Sequence, residues 1–437
     1  MQEIKERLRR VGVGLPDILI PAEGIDLEKW AVVACDQYTS EKDYWESASE
    51  QVGDAPSTLR LIFPECYLED PEPQKRIVAI NKTMQEYIDR DIFTTYKDSF
   101  FLIHRTTGKG PGRWGLIVAL DLDRYDYAKD SRSLIRATEG TILSRIPPRK
   151  EIRKNAPLEL PHIMVLISDE KRSLIETLAE RKNSLRVAYD NTPLMKNGGH
   201  LTAWVVDGKP ELDLVVNALE TMYGNLDPKN PLLFAMGDGN HSFATAKSCW
   251  EDIKKTLSVD EREKHPARYA LVELENIFDP GLEFEPIHRV LFKTRAEDFL
   301  NEVSHCCASF RTYPVENVEE LLKQVNEGDG QRFGYCDESG LKLFVLTSPC
   351  ASIAAGTLQV VIDNLLAAGK TNVDYIHGID VTCSLGGQPG NIGLLLPDVS
   401  KDTFFDTIIA DNALPRKTFS MGEAHEKRYY MEARKIR

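Results

Sequence analysis

Apolar runs of strand length alternate along the chain with segments whose apolar residues recur every three or four positions. Phe100–Ile103, ahead of His104, and Gly115–Leu120 are apolar runs of the kind that buried strands show. The glycine-rich Gly108–Arg113 between them predicts a hairpin. Ala31–Cys35, Ile163–Ser168 and Leu232–Met236 predict further buried strands, and Lys75–Arg90 and Glu170–Lys182 predict helices. Past Phe292, a helix over Val315–Asn326, a strand over Leu341–Leu346 and a helix near Gly356–Ala368 predict a smaller lobe. The expected class is α/β or α+β with a mixed sheet: a main region over residues 1–295 and a C-terminal α/β lobe with a basic tail over 296–437.

The most informative junction is Leu232–Lys247. A strand-length run ends at Met236, and Gly237-Asp238-Gly239-Asn240 forms a turn whose glycines permit close backbone approach. Phe243, Ala246, Trp250, Ile253 and Leu257 then keep one helical face. Asp238, Asn240 and His241 are thereby placed over a helix N-terminus, where free N–H groups and the helix dipole favour an anion. Helix capping explains Asp238 or Asn240, but a cap has no use for the histidine behind them.

Composition narrows the partners. A net charge of −14 argues against non-specific nucleic-acid binding, which relies on a basic surface. The eight cysteines include no CxxC pair, so neither a zinc nor a disulfide framework is expected. Met1–Arg10 lacks the apolar core of a signal peptide, and no apolar run is long enough to span a bilayer. The expectation is a cytoplasmic protein with no membrane or nucleic-acid partner.

Four further groups offer chemistry. Ser131–Lys154 carries Arg145, Arg149 and Arg153 at helical spacing, with Pro147-Pro148 starting or breaking that helix. Arginine forks suit phosphate or carboxylate oxygens, although a solvated basic face gives the same pattern. Glu139, in Thr138-Glu139-Gly140-Thr141, is a candidate base or metal ligand, or an ion-pair partner of these arginines. The glycine turn at 191–201 offers Lys196 and His200, and Phe284–Val290 offers His288 and Arg289 ahead of an apolar run. Asp36 and Gln37 follow the predicted strand Ala31–Cys35, at the kind of strand end where α/β sheets bind ligands.

Five motifs in order, CDQYTSEKDYW (35–45), TEGT with RIPPR (138–149), GDGNHSFATAK (237–247), FEPIHRV (284–290) and LPRKTFSMGEAHEKRYYMEARKI (414–436), resemble the "domain of unknown function 1015" family. Many members carry Asp-Gly-His-His-Arg where this chain has Asp238–Ser242. That form is similar to the phosphate-binding motif of free serine kinases in the ParB/sulfiredoxin-like superfamily. The resemblance implies a ParB/sulfiredoxin-like core, a loop and helix N-terminus that hold nucleotide phosphates, and a separate glutamate as base. Asp238, Gly239 and His241 keep the pattern; Asn240 and Ser242 replace a histidine and an arginine, and Arg145, Arg149 or Arg289 would have to supply the missing cation.

The expected function is a nucleotide-dependent phosphotransferase using ATP or ADP and Mg²⁺ on a small hydroxylated metabolite such as serine. Glu139, Asp238 and His241 would be catalytic. Gly237, Gly239, Asn240, Arg145, Arg149 and Arg289 would hold phosphates, and Asp36, Gln37, Lys196, His200 and His288 would hold substrate. The rivals are a nucleotide-regulated, non-catalytic ParB-like binding protein and a metal-dependent hydrolase built on Asp36, Asp238 and His241. Substrate, metal ligands and oligomeric state stay open.

Overall fold

A computed structural model describes all residues from Met1 to Arg437 except Lys109 and Lys129. The chain forms two compact units, Met1–Leu282 with Gly422–Arg437, and Glu283–Met421. The sequence reading put the boundary after 295 and kept the basic tail with the C-terminal lobe. Here the boundary follows Leu282, and the tail belongs to the first unit.

The first unit is built on a nine-stranded mixed sheet. Its strands are β1 (Val13–Gly14), β2 (Phe100–Thr106), β3 (Arg113–Asp121), β4 (Ile135–Ala137), β5 (Met164–Ile167), β6 (Arg186–Leu194), β7 (Gly199–Val206), β8 (Phe234–Asp238) and β9 (Tyr269–Asn276). Their order is β4-β8-β5-β9-β3-β2-β7-β6, with β1 paired to β3. The β4–β8 and β5–β9 pairs are parallel and the others antiparallel.

Strand periodicity divides the core. Phe100, Leu102, Leu116 and Val118 point to one face, where they pack with Leu212, Val215, Phe243 and Trp250. Their neighbours Phe101, Ile103, Ile117 and Ala119 point to the other, packing with Trp45, Ile80, Tyr429 and Tyr430. Both faces are covered, which is why these strands read as continuous apolar runs. The flanking helices are α1 (Gln2–Arg10), α2 (Lys42–Val52), α3 (Pro73–Asp89), α4 (Ile146–Arg153), α5 (Lys209–Gly224) and α6 (Asn240–Ile253). Helix α3 starts on a proline and buries Ile77, Ile80, Met84 and Tyr87 on one stripe. Among the described residues, no helix is long and apolar enough to cross a membrane.

Three sequence expectations need correction or completion. Ala31–Cys35 is buried but forms no strand: it makes one bridge, Val33 to Tyr429, and two flanking bonds with the tail. The pairing stops at Cys35, whose N–H donates to the Tyr430 hydroxyl (3.0 Å) instead of a backbone carbonyl. Asp36 and Gln37 therefore do not follow a strand. The helix predicted over Glu170–Lys182 is confined to Ile175–Glu180, because the Asp169 carboxylate captures the Leu174 N–H (2.9 Å) and the Ser173 hydroxyl in a turn. The hairpin of β2 and β3 forms as expected, with Lys109 of its turn outside the described residues.

The second unit has a six-stranded sheet of β10 (His288–Phe292), β11 (Cys307–Val315), β12 (Gln331–Asp337), β13 (Gly340–Pro349), β14 (Asn372–Ile376) and β15 (Ile392–Leu395), ordered β11-β13-β12-β15-β10-β14. Its core joins Phe299, Phe333 and Phe344 to Leu358 and Ile362 of the helix Ala354–Ala367.

Candidate functional site

Strand directions bring four segments to one edge of the first sheet. Parallel β4 and β8 end side by side, Ala137 opposite Met236. Antiparallel β5 begins beside the end of β8, Met164 opposite Asp238, which places His162 and Ile163 against the loop. The β4–β8 pairing ends at Ala137, and Glu139 lies two residues beyond the end of β4. The Thr138 hydroxyl fixes this edge by donating to the Met236 carbonyl (2.6 Å).

The loop between β8 and α6 is one residue, Gly239, in the left-handed region at φ +79°. A Cβ there would lie 3.0 Å from Ile163 Cγ1 and 3.1 Å from Ile163 Cα, so both conformation and space select glycine. The Gly239 N–H donates to the Asp238 carboxylate (2.9 Å), and no side chain caps α6. The N–H groups of Asn240, His241 and Ser242 precede the first bond of that helix, from Phe243 to the Gly239 carbonyl.

Three side chains set the electrostatics. Lys427, from the tail, puts its ammonium 3.3 Å from Asp238 Oδ2. His241 Nε2 accepts the backbone N–H of Ile142 (3.2 Å), tying α6 to the Thr138–Ile142 segment and placing the ring proton on Nδ1. Burial, reinforced by Arg149 and Arg145, pushes the His241 pKa down to about 4, so the ring is neutral at pH 7. Arg149, on α4, donates through Nε to Glu65 (2.8 Å) and through a terminal nitrogen to the Arg145 carbonyl (2.8 Å). Arg145 is exposed.

The other sequence candidates have contacts of their own. Lys196 donates to Ser47 Oγ (2.5 Å), and His200 is exposed on β7 opposite Thr106 and Pro193. His288 and Arg289 belong to the second unit. His288 Nδ1 accepts the Leu396 N–H (3.1 Å), with burial first and Arg289 next holding its pKa near 4. Arg289 is fully buried, its guanidinium 5.3 Å from the Tyr375 ring centre.

Three participants were not singled out from sequence: His162, Lys427 and Tyr430. Ser242 Oγ lies 2.8 Å from His162 Nε2, and His162 Nδ1 lies 2.9 Å from the Tyr430 hydroxyl. Asp36 Oδ2 is 3.9 Å from His162 Nε2, and the Gln37 amide donates to Asp36 Oδ1 (3.1 Å), which attaches the CDQY motif to the same edge. Lys427 and Tyr430 stand in the fifth motif, where two tyrosines follow a Lys-Arg pair; that combination was the available signal.

The tail is locked by buried charge. Arg428 bridges Glu273 and Glu432, Arg434 donates through Nε to Glu159 (2.7 Å), and Arg105 holds the Lys427 carbonyl (2.7 Å). Among the described residues, no group of three or more His, Cys, Asp or Glu side chains is arranged to hold a metal ion.

No curated protein matches the chain. Among solved structures, free serine kinase in complex with AMP is similar over 73% of this chain and 92% of that one, at 8% identity and a TM-score of 0.38. A conserved hypothetical protein from Pyrococcus furiosus is similar over 72% and 90%, at 9% identity and a TM-score of 0.34. A C-terminally truncated SbnI from Staphylococcus aureus is similar over 70% and 81%, at 9% identity and a TM-score of 0.32. The model of a family described as a protein of unknown function, DUF1015, matches residues 19–368, and the chain belongs to that family.

Proposed function

We propose that this protein is a nucleotide-dependent phosphotransferase acting on a small hydroxylated metabolite, with serine the first acceptor to test. The observation that carries the reading is the convergence at Gly239: an uncapped helix start, a carboxylate and a neutral histidine share one sheet edge with the Arg145–Arg149 segment. Phosphoryl transfer needs mainly positioning and charge neutralisation. In this reading the N–H groups of Asn240 and His241 receive phosphate oxygens, and Arg145 supplies the exposed cation.

The base is Glu139 and not His241. The Nε2 lone pair of His241 is already taken by the Ile142 N–H, so that ring anchors the loop. Magnesium usually keeps one or two protein carboxylates together with substrate phosphates. Asp238, at the end of β8, would be the carboxylate to hold such an ion, with Glu139 kept as the base. When bound, the ion would neutralise charge on the transferring phosphoryl group.

The test is calorimetric titration with ATP, ADP and CTP, followed by a panel of hydroxylated metabolites. Gly239→Val crowds the backbone approach, while Arg145→Ala and Arg149→Ala remove charge. Each should weaken nucleotide binding, with the arginine variants remaining folded. Unchanged affinity in all three refutes the assignment, and binding without transfer would favour a nucleotide-regulated binding protein.

A further inference from the structure

The Ser242–His162–Tyr430 chain has no role in the phosphate site described above, and its geometry is that of a nucleophile with its base. A serine hydroxyl is a poor nucleophile until a neighbouring base takes its proton, and that base works best when a third group orients it. Ser242 Oγ is 2.8 Å from His162 Nε2, and His162 is nearly buried.

Tyr430 accepts the Cys35 N–H (3.0 Å) at the same oxygen that lies 2.9 Å from His162 Nδ1. With the ring proton on Nδ1 and donated to Tyr430, the Nε2 lone pair is left to accept from Ser242. Ser242 stands in the first turn of α6, beside the N–H groups of Asn240 and His241 that can receive charge developing on an attacked centre.

We propose that Ser242 is a nucleophile activated by His162, and that the phosphoryl group passes through Ser242 on its way from nucleotide to acceptor. The identity of the electrophile rests on the phosphotransferase reading; the activation of Ser242 does not. In the first half-reaction Ser242 Oγ attacks the γ-phosphorus of a nucleoside triphosphate. The Oγ–P bond forms, the bond to the nucleoside diphosphate oxygen breaks with its electron pair leaving on that oxygen, and the serine proton moves to His162 Nε2. In the second, the acceptor hydroxyl attacks phosphorus and gives its proton to Glu139. The Oγ–P bond breaks, and His162 returns its proton to Ser242. Tyr430 is a positioning residue that acts through His162.

Two labels test the proposal on the full-length protein. A biotinylated fluorophosphonate needs no nucleotide and reports the nucleophile alone. It should modify Ser242, located by peptide mass mapping, at a rate about 100-fold lower or less in His162→Gln, the lower range of general-base effects. Tyr430→Phe should reduce the maximal inactivation rate while leaving the half-saturating probe concentration unchanged, a split that a loss of folding would not produce. No label on Ser242, or an equal rate in His162→Gln, overturns the proposal.

ATP carrying γ-³²P should then place phosphate on Ser242 that is discharged when serine or another acceptor is added. Fluorophosphonate labelling with no phosphate transferred from ATP, ADP or CTP either to Ser242 or to any acceptor refutes the phosphoryl route together with the phosphotransferase reading. Full transfer from ATP to acceptor by Ser242→Ala refutes the covalent route alone.

Discussion

Replacing Gly239 with alanine tests the loop on which the site is built. Two costs add. A Cβ in the left-handed region costs about 1–2 kcal/mol, and Gly239 sits at φ +79°. The same Cβ would stand 3.1 Å from the Cα of Ile163, a backbone atom that cannot swing aside. Such overpacking costs about 1–3 kcal/mol. The expected loss is therefore about 2–5 kcal/mol. Gly53 separates the terms, because it has φ +56° and nothing within 4 Å of its would-be Cβ. Gly53→Ala should lose only the conformational part, about 1–2 kcal/mol. The assay is urea unfolding followed by tryptophan fluorescence. All five tryptophans, at 30, 45, 114, 204 and 250, lie in the first unit, so the signal reports that unit alone. A loss below about 0.5 kcal/mol for Gly239→Ala, small against either cost, refutes the left-handed loop. Equal losses for the two variants refute the contact with Ile163.

Three other outcomes are expected. Arg428→Met leaves the buried carboxylates of Glu273 and Glu432 without their shared cation and should cost the first unit about 3–5 kcal/mol in the same unfolding assay; a loss under about 1 kcal/mol, far below that range, would show that the pairs do not hold the tail. His241→Leu removes the acceptor of the Ile142 N–H, so hydrogen exchange at Ile142 should accelerate by about fivefold for about 1 kcal/mol, and unchanged protection would break the proposed tie between α6 and the Thr138–Ile142 segment. His288 has a folded pKa near 4 against 6.5 in the unfolded chain, so the unfolded state binds the proton first as pH falls. Stability of the second unit is then full above pH 6.5 and lost progressively down to about pH 4, by up to about 3 kcal/mol at ~1.4 kcal/mol per pH unit. Exchange of the Leu396 amide against pH reads this directly, and His288→Asn should flatten the slope.

What was legible in the sequence is what local period encodes. Helix α6, its glycine join and strand β8 follow from the period of apolar positions and from two glycines, and they appear with Asp238 ending the strand and Asn240 starting the helix. The helix Pro73–Asp89 and the hairpin of β2 and β3 were legible for the same reason. His162 was not. Its partners Ser242 and Tyr430 lie 80 and 268 residues away, and one histidine ahead of a strand carries no sign of either. Ala31–Cys35 misled because an apolar run records burial and not pairing: the tail segment beside it offers a single bridge.

The tail shows most sharply how charge pattern and position part company. Read as sequence, Lys427, Arg428, Arg434 and Lys435 look like a solvated basic end of the C-terminal lobe. In the fold, Arg428 and Arg434 are buried against Glu273, Glu432 and Glu159, while the Trp30 indole donates to the Met431 carbonyl (3.0 Å) and the Tyr429 hydroxyl donates to the Met195 carbonyl (3.0 Å). A lone charge in that position would be intolerable, so each cation requires its carboxylate and the set fixes the register of the segment. Register is what the site needs. Lys427 reaches Asp238 and Tyr430 reaches His162 only while Arg428, between them in the chain, stays seated on Glu273. Arg428→Met should therefore do more than destabilise: at urea concentrations where the variant is still folded, Ser242 labelling by fluorophosphonate should slow. If labelling is unaffected in the folded variant, the tail supports the core without positioning the site.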